Sequence, residues 1–269
     1  MQRRSFLTSV LGGALAGAAA SRSGAGQETG TGLRAPEYYM WRQYILRAGT
    51  QPQRLAAFLQ QAAIPALNRA GHAPVGVFEV VAGIPSPSVF LLIPSASLDP
   101  LARIEFTLRG DREFMQAGAP YLDAPATDPV YVRQEVSLLA AFAKVPRVEV
   151  PAATAAKGPR LFELRTYESA SERAHFLKIE MFDELGEIEI FRTVGLTPVF
   201  FGRTVAGTRM PSFSYMLVHG DMTAREKSWN SFRTSPDWKK LSATPGYSDA
   251  EIVSNITTVF LRPAASSQI

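Results

Sequence analysis

The chain of 269 residues contains no cysteine, which excludes disulfides, thiolate metal sites, cysteine nucleophiles and lipoprotein attachment. It has 3 histidines, no two of them at the spacing of a zinc site, so no metal site is predicted. Nucleophile-elbow, P-loop and Rossmann signatures are also absent. None of these motifs therefore identifies a reaction.

Excess charge of one sign is also small. The net charge is +4, and no run of lysine and arginine rises above the background, so nucleic-acid binding is not predicted. With 46% hydrophobic and 19% charged residues, the chain can bury a sizeable core and does not have the composition of a disordered protein.

What the chain does have is a long internal repeat. Arg42 and Tyr44 recur 123 positions later as Arg165 and Tyr167. At an offset of 124, the pairs are Gly71 and Gly195, Pro74 and Pro198, Gly83 and Gly207, Pro87 and Pro211, and Phe114 and Trp238. A repeat of this length indicates a duplicated small domain rather than a solenoid.

Both copies show the same predicted order of elements, β-α-β-β-α-β. Strands are predicted at residues 38–46, 74–83, 88–94 and 130–139, and again at 161–167, 197–205, 213–219 and 252–261. Helices are predicted at 50–71 and from 99, then at 171–194 and from 223, with capping-box spacing at Thr50 and Thr223. The predicted fold class is α+β, with two tandem ferredoxin-like repeats.

The predicted organisation has six parts. They are a signal peptide (1–20), a flexible lead-in (21–36), an N-terminal repeat (37–143), a Pro/Ala-rich linker (144–159), a C-terminal repeat (160–263) and a tail (264–269).

The N-terminal segment resembles a bacterial twin-arginine (Tat) signal peptide. Arg3-Arg4 precedes a glycine- and alanine-rich apolar stretch at 10–20, and three alanines at 18–20 offer a cleavage site. A membrane anchor is the alternative, but the apolar stretch is shorter than the ~20 residues that span a bilayer. We expect a periplasmic or otherwise exported protein without stable membrane insertion after cleavage.

The second copy resembles the NIPSNAP family. The residues that carry the likeness are Phe162 to Tyr167, Phe191, Gly195-Leu196, Pro198, Tyr215-Met216-Leu217, Arg225-Glu226, Trp229, Phe232, Pro236, Trp238 and Leu261-Arg262-Pro263. The resemblance implies a dimeric α+β barrel, in which two ferredoxin-like sheets face each other around a cavity. Here one chain would supply both sheets. The first copy lacks the Trp-x-x-Phe pair and the Leu-Arg-Pro ending, so it is interpreted as a diverged member.

Strand alternation selects most of the candidate site residues. Phe162, Leu164 and Thr166 share one face of their strand, and Glu163, Arg165 and Tyr167 share the other, which Arg42 and Tyr44 match in the first copy. If the apolar face packs on the helices, both arginine–tyrosine pairs point into one cavity between the sheets. A buried arginine needs a partner, either Glu163 or a substrate anion. A structural ion pair is the alternative to a binding role.

Aromatic residues and histidines complete the candidates. Trp229, Phe232 and Trp238 are interpreted as core. Tyr215 and His219 lie on another predicted strand, where His219 is either a general base, a haem ligand or a partly exposed strand end without function. His72 and His175 are interpreted as surface residues.

Two functions stay open. The first is a protein that binds a small hydrophobic molecule or a protein partner, without a cofactor, through the cavity between the sheets. Most of its specific chemistry would come from the C-terminal half. The alternative is a small-molecule enzyme, monooxygenase-like or haem-dependent, since such enzymes share the implied fold. A homo-oligomer is a further expectation.

Overall fold

Eight strands form a closed barrel in the computed structural model, which describes residues 35–84 and 86–269. The predicted signal peptide and almost all of the lead-in lie outside the described residues. The strands are β1 (Tyr38–Ile45), β2 (Gly76–Ala82), β3 (Ser88–Ser95), β4 (Arg133–Ala141), β5 (Leu161–Glu168), β6 (Thr197–Ala206), β7 (Ser212–His219) and β8 (Asn255–Pro263).

Each repeat contributes half of the barrel. The strand order is β4-β1-β3-β2 in the N-terminal half and β8-β5-β7-β6 in the C-terminal half, so the two halves have the same ferredoxin-like order. The halves join edge to edge through the antiparallel pairs β2·β8 and β4·β6. The predicted fold, with two tandem repeats in a dimeric α+β barrel arrangement, is confirmed.

Helices cover the outside of each half. In the N-terminal repeat they are α1 (Gln51–Phe58), α2 (Ile64–Arg69), α3 (Leu98–Ala102), α4 (Ile104–Arg109) and α5 (Arg112–Leu122). In the C-terminal repeat they are α6 (Glu172–Asp183), α7 (Glu187–Thr193), α8 (Met222–Thr234), α9 (Pro236–Ser242) and α10 (Asp249–Ile252). A π-helical turn at Leu59–Ala63 joins α1 to α2, and a 3-10 turn at Ala152–Thr154 lies between the repeats.

The matched glycines end matched helices. Gly71 follows α2 with φ +87° and Gly195 follows α7 with φ +81°, backbone angles that glycine adopts without strain. The single helix predicted at 171–194 is divided into α6 and α7, because Gly186 has φ +97° between them.

Both predicted capping boxes are wrong. The side chain of Thr50 makes no capping bond, and α8 begins two residues earlier than a cap at Thr223 would set it. There the carboxylate of Asp221 accepts from the backbone N–H of Ala224, so a carboxylate rather than a hydroxyl caps the helix.

Three apolar clusters hold the fold together. We call the cluster inside the barrel the barrel core, the one between the N-terminal half-sheet and its helices the N-terminal layer, and its C-terminal counterpart the C-terminal layer. The barrel core comprises Tyr39, Trp41, Phe78, Phe90, Leu92, Leu139, Phe162, Leu164, Val199, Phe200, Met216, Val259, Leu261 and Ile269.

The last residues are packed rather than a free tail. Ile269 is fully buried in the barrel core, and the side chains of Gln268 and Ser267 accept from the backbone N–H groups of Val75 and Val77. Within the described residues, none of the helices combines the length and apolar character needed to cross a bilayer.

Candidate functional site

The candidate residues on β1 and β5 face the helices rather than the barrel interior. Tyr44 belongs to the N-terminal layer and Tyr167 to the C-terminal layer, while Phe162 and Leu164 point into the barrel core. The prediction that both arginine–tyrosine pairs point into a cavity between the sheets is therefore wrong. The interior of an eight-stranded barrel is just wide enough to be filled by side chains or to hold one small ligand, and here bulky apolar side chains fill its centre.

The structure brings five of the seven candidates together. Glu163, Arg165, Tyr167, Tyr215 and His219 are linked by hydrogen bonds beneath the helices of the C-terminal repeat. The other two, Arg42 and Tyr44, line a separate pocket beneath the helices of the N-terminal repeat.

Glu163 is the centre of the C-terminal group. Its carboxylate is fully buried and accepts from Nε and Nη2 of Arg225, at 3.0 and 2.8 Å, and from the indole N–H of Trp229 at 2.7 Å. Nε2 of His219 lies 3.2 Å from the same carboxylate, and Nη1 of Arg165 donates to it at 3.3 Å. The arginine partner expected on this strand is thus Glu163 itself, in a structural ion pair.

These bonds keep Glu163 ionised. Burial alone would raise the pKa of its carboxyl, but the hydrogen bonds from His219, Arg225 and Trp229 outweigh it and lower the pKa to about 2. Burial also works against the charge of Arg165, yet Tyr215, Tyr167 and Glu163 raise the pKa of its guanidinium. A carboxylate held this firmly serves structure better than proton transfer.

Aromatic rings fill the space around this group. Nη2 of Arg165 donates to the hydroxyl of Tyr167 at 3.1 Å, and the hydroxyl of Tyr215 donates to that of Tyr167 at 3.4 Å. The ring of Tyr215 stacks on Phe201 with centroids 4.6 Å apart. Burial raises the pKa of both tyrosine hydroxyls, so they stay protonated. Trp229 and Phe232 are buried in the C-terminal layer and Trp238 packs against it, which confirms their interpretation as core.

All three histidines are buried, against expectation. His72 and His175, predicted at the surface, are 3% and 4% exposed, and His219 at the strand end is 5% exposed. Nδ1 of His72 lies 2.9 Å from the carbonyl oxygen of Pro94, and His219 contacts Glu163 on a neighbouring strand. Contacts from distant parts of the chain, which local pattern does not show, explain their burial.

Sequence reasoning missed the hydrogen bonds of Arg225 and Trp229 to Glu163, and it missed a second buried ion pair. Nζ of Lys178 lies 3.2 Å from Glu187 and 2.9 Å from Asp249. Burial raises the pKa of the Glu187 carboxyl to about 7, against the opposing charge of Lys178. The spacing of Arg225 and Trp229, four apart on one helix face, was the signal available for the first group.

An open pocket of about 390 Å³ lies in the N-terminal layer. Aliphatic and aromatic side chains form most of its wall, and a few polar groups join them. The lining residues are Arg42, Tyr44, Phe58, Ala63, Leu67, Leu91, Ile93, Ile104, Glu105, Leu108, Arg109, Phe114, Met115, Tyr121, Leu122, Asp123, Tyr131 and Gln134. Its volume is within the range of about 300–1,000 Å³ that is usual for small-molecule sites.

Arg42 is the buried cation of this pocket. Its side chain is 14% exposed, and its nearest carboxylate is that of Glu105, 3.9 Å from Nη2 and 80% exposed. The sulfur of Met40 lies 3.2 Å from Nη2, and Nε is buried without a hydrogen-bond partner among the described residues. Arg42 therefore lacks the close carboxylate that Arg165 has.

Tyr121 supplies a second polar group. Its ring stacks on Phe58 with centroids 3.9 Å apart, and its hydroxyl is buried without a partner among the described residues. Burial, with Tyr44 and Tyr131, raises the pKa of this hydroxyl against the opposing charge of Arg42. Tyr121 therefore stays protonated and can donate a hydrogen bond.

The lining contains no histidine to serve as an axial haem ligand, because the three histidines of the described chain are buried elsewhere. The residues of this pocket therefore do not fit a histidine-ligated haem.

Comparison with known proteins identifies the second repeat. The sequence profile of the NIPSNAP family matches residues 162–268. The C-terminal repeat thus carries a NIPSNAP domain. No curated protein matches the chain.

Solved structures resemble both repeats together. A candidate monooxygenase from Lactobacillus acidophilus is 8% identical, with a TM-score of 0.55, over 85% of this chain and 94% of that one. A candidate monooxygenase from Fusobacterium nucleatum is 7% identical, with a TM-score of 0.53, over 85% and 93%. An anthrone oxidase-like protein is 8% identical, with a TM-score of 0.51, over 86% and 93%. At these identities the likeness shows the fold alone.

Proposed function

We propose that this chain is an exported protein that binds a small, mainly apolar molecule in the pocket of the N-terminal layer. The observation that carries the proposal is the pocket itself, about 390 Å³ in volume, with apolar walls and a buried arginine. The site differs from the cavity predicted between the sheets, and it lies in the N-terminal rather than the C-terminal half.

Binding is proposed rather than catalysis because the pocket has the size and the mainly apolar lining of a small-molecule binding site. The likeness to candidate monooxygenases concerns the fold and carries no reaction to this chain. Conversion of a bound compound by the purified protein would favour the enzyme alternative.

The binding test fills the pocket with tyrosine, the residue that the C-terminal repeat has at the position of Leu91. The full chain is purified from the periplasm of the organism that produces it. Small molecules that copurify with the protein are extracted and measured by mass spectrometry. Leu91 lines the pocket at the position matching Tyr215, so Leu91→Tyr should reduce the retained compound at least about tenfold.

Leu185→Tyr is the matched control, since Leu185 is 41% exposed and lies outside the pocket lining. It should retain the compound at the wild-type level. Equal retention by Leu91→Tyr, or no retained compound in wild type, would contradict the proposed site.

Export has its own test. The proposal of export is supported by the Arg3-Arg4 pair and the apolar stretch at residues 10–20. Replacing both arginines by lysine should keep the chain in the cytoplasm, as measured by fractionation. Undiminished export of that variant would contradict the Tat route.

A further inference from the structure

Met40 occupies the position of Glu163 in the N-terminal repeat. In β1, Met40 and Arg42 pair across the sheet with Ile93 and Leu91. In β5, Glu163 and Arg165 pair in the same register with Leu217 and Tyr215. The thioether of Met40 therefore lies where the C-terminal repeat holds the carboxylate that neutralises its arginine.

Among the residues that the structure describes, this replacement leaves Arg42 without a carboxylate at hydrogen-bond distance. Nε of both arginines has no hydrogen-bond partner within residues 35–84 and 86–269, so the difference lies at the terminal nitrogens. Those of Arg165 donate to Glu163 and Tyr167. Nη2 of Arg42 contacts the sulfur of Met40, which is a weak hydrogen-bond acceptor. The same nitrogen lies 3.9 Å from the carboxylate of the exposed Glu105, beyond hydrogen-bond length.

We propose that the ligand of this pocket is an amphiphile with a single carboxylate that pairs with Arg42. The inference rests on the proposed binding function and specifies the ligand class. A guanidinium binds a carboxylate through two parallel hydrogen bonds, and this pairing is strong where water is largely excluded. The carboxylate would take the part that Glu163 plays beside Arg165.

The other charged groups of the lining limit the ligand to one negative charge. Arg109, Glu105 and Asp123 are all exposed, and one cation with two acids gives a net negative charge, so together they would not attract a second anionic group. The buried hydroxyl of Tyr121 is a donor that can support the carboxylate, and its pairing would relieve an orphaned polar group.

The apolar part of the ligand would lie against the remaining wall. Phe58 and Tyr121 present a stacked aromatic pair, and Leu91 and Ile93 contribute aliphatic surface from β3. Such a lining suits a flat or compact hydrocarbon body and offers few further hydrogen bonds.

The test compares two probes of nearly equal shape, naphthalene-2-carboxylate and naphthalene-2-carboxamide, by calorimetric titration of the full chain. Wild type should bind the carboxylate at least about tenfold more tightly than the neutral amide. Arg42→Met should lower carboxylate affinity to that of the amide and leave amide binding within about twofold of wild type. Arg42→Lys keeps the charge but loses the two-point pairing, so it should retain only part of the preference.

Met40→Glu provides an independent variant that keeps Arg42. It installs the acid found in the other repeat, and the internal ion pair should remove the preference for the carboxylate. Met222→Glu is its charge-matched control at a 47% exposed position in the other repeat, and it should preserve the preference. If one pocket variant fails to fold, as judged by circular dichroism, the other still decides.

The outcomes separate the two proposals. Equal binding of both probes by wild type, or an undiminished preference in Arg42→Met and Met40→Glu, would overturn the proposal that the ligand carries a carboxylate. The proposed binding function would then still stand. Binding of neither probe by wild type would overturn both.

Discussion

The two repeats share a backbone and a strand register but fill their outer layers differently. Tyr44 pairs with Val89 in the N-terminal repeat, whereas Tyr167 pairs with Phe213 in the C-terminal one. Two residues further along the same strands, Leu91 is matched by Tyr215. Aromatic rings occupy the volume in the C-terminal layer, and smaller side chains leave a pocket in the N-terminal layer.

The same contrast holds for charge. Arg165 is paired with the buried Glu163, whereas the acid recorded beside Arg42 in the described part of the chain is the exposed Glu105, 3.9 Å away. The comparison teaches that an identical arginine–tyrosine pair has different surroundings, depending on which side chain stands two residues before the arginine.

The largest expected effect comes from giving the C-terminal repeat the residue of the N-terminal one. Glu163→Met would leave the buried side chains of Arg165, Arg225 and His219 without their acceptor. We expect a loss of about 3–5 kcal/mol in the free energy of unfolding, measured by urea denaturation. Glu226→Met, at an exposed acid, should cost below about 1 kcal/mol. A comparable loss in both variants would show that Glu163 contributes no more to the free energy of unfolding than an exposed acid does.

Acid should act on the same contact. The pKa of Glu163 is lowered from 4.5 to about 2 in the folded protein. As the pH falls below about 4.5, this carboxyl is therefore protonated in the unfolded chain while it is still ionised in the folded protein. The stability due to this group is present above about pH 4.5 and is lost towards pH 2, amounting to about 3 kcal/mol.

Urea midpoints across this pH window should therefore fall more steeply for wild type than for Glu163→Gln. Parallel curves for the two proteins would show that Glu163 is not the acid-sensitive group.

A smaller effect is expected from opening the filled layer. Tyr215→Leu removes a fully buried ring and should cost about 2 kcal/mol of stability through the cavity it leaves. The mirror change Leu91→Tyr fills existing space and should cost below about 1 kcal/mol. Thermal denaturation of both variants measures the difference, and equal losses would mean that the N-terminal pocket is not free space.

The smallest effect concerns the two arginines. Arg42→Met removes a charge without a close partner, whereas Arg165→Met removes hydrogen bonds to Glu163 and Tyr167. We expect Arg42→Met to be the less costly by at least about 1 kcal/mol in urea denaturation. The reverse order would indicate that Arg42 has a structural partner in solution.

Much of the fold could be predicted from the sequence. The matched glycines, prolines and arginine–tyrosine pairs gave the duplication and the order of elements. Alternation also sorted Glu163, Arg165 and Tyr167 onto one strand face. It did not show which face meets the helices, because residues of both faces of β5 are buried in apolar clusters.

The candidate site was less accessible. Its pocket depends on the small volume of Leu91 and on Tyr121 from a distant helix, which no local pattern shows. The difference in charge between Met40 and Glu163 could have been predicted from the sequence, since these two residues are separated by the same 123 positions as the arginines.

The two seams that close the barrel, β2·β8 and β4·β6, lie within one polypeptide. In an assembly of two identical chains, every substitution appears twice, so a change that opens one half also weakens the other. Covalent linkage removes that constraint. One half can keep a tightly packed layer in which the arginine is paired with a buried acid, while the other keeps an unfilled space and an arginine whose ion-pair partner is an exposed acid 3.9 Å away. The single-chain barrel thus permits a division of labour that a symmetric dimer of the same fold cannot adopt.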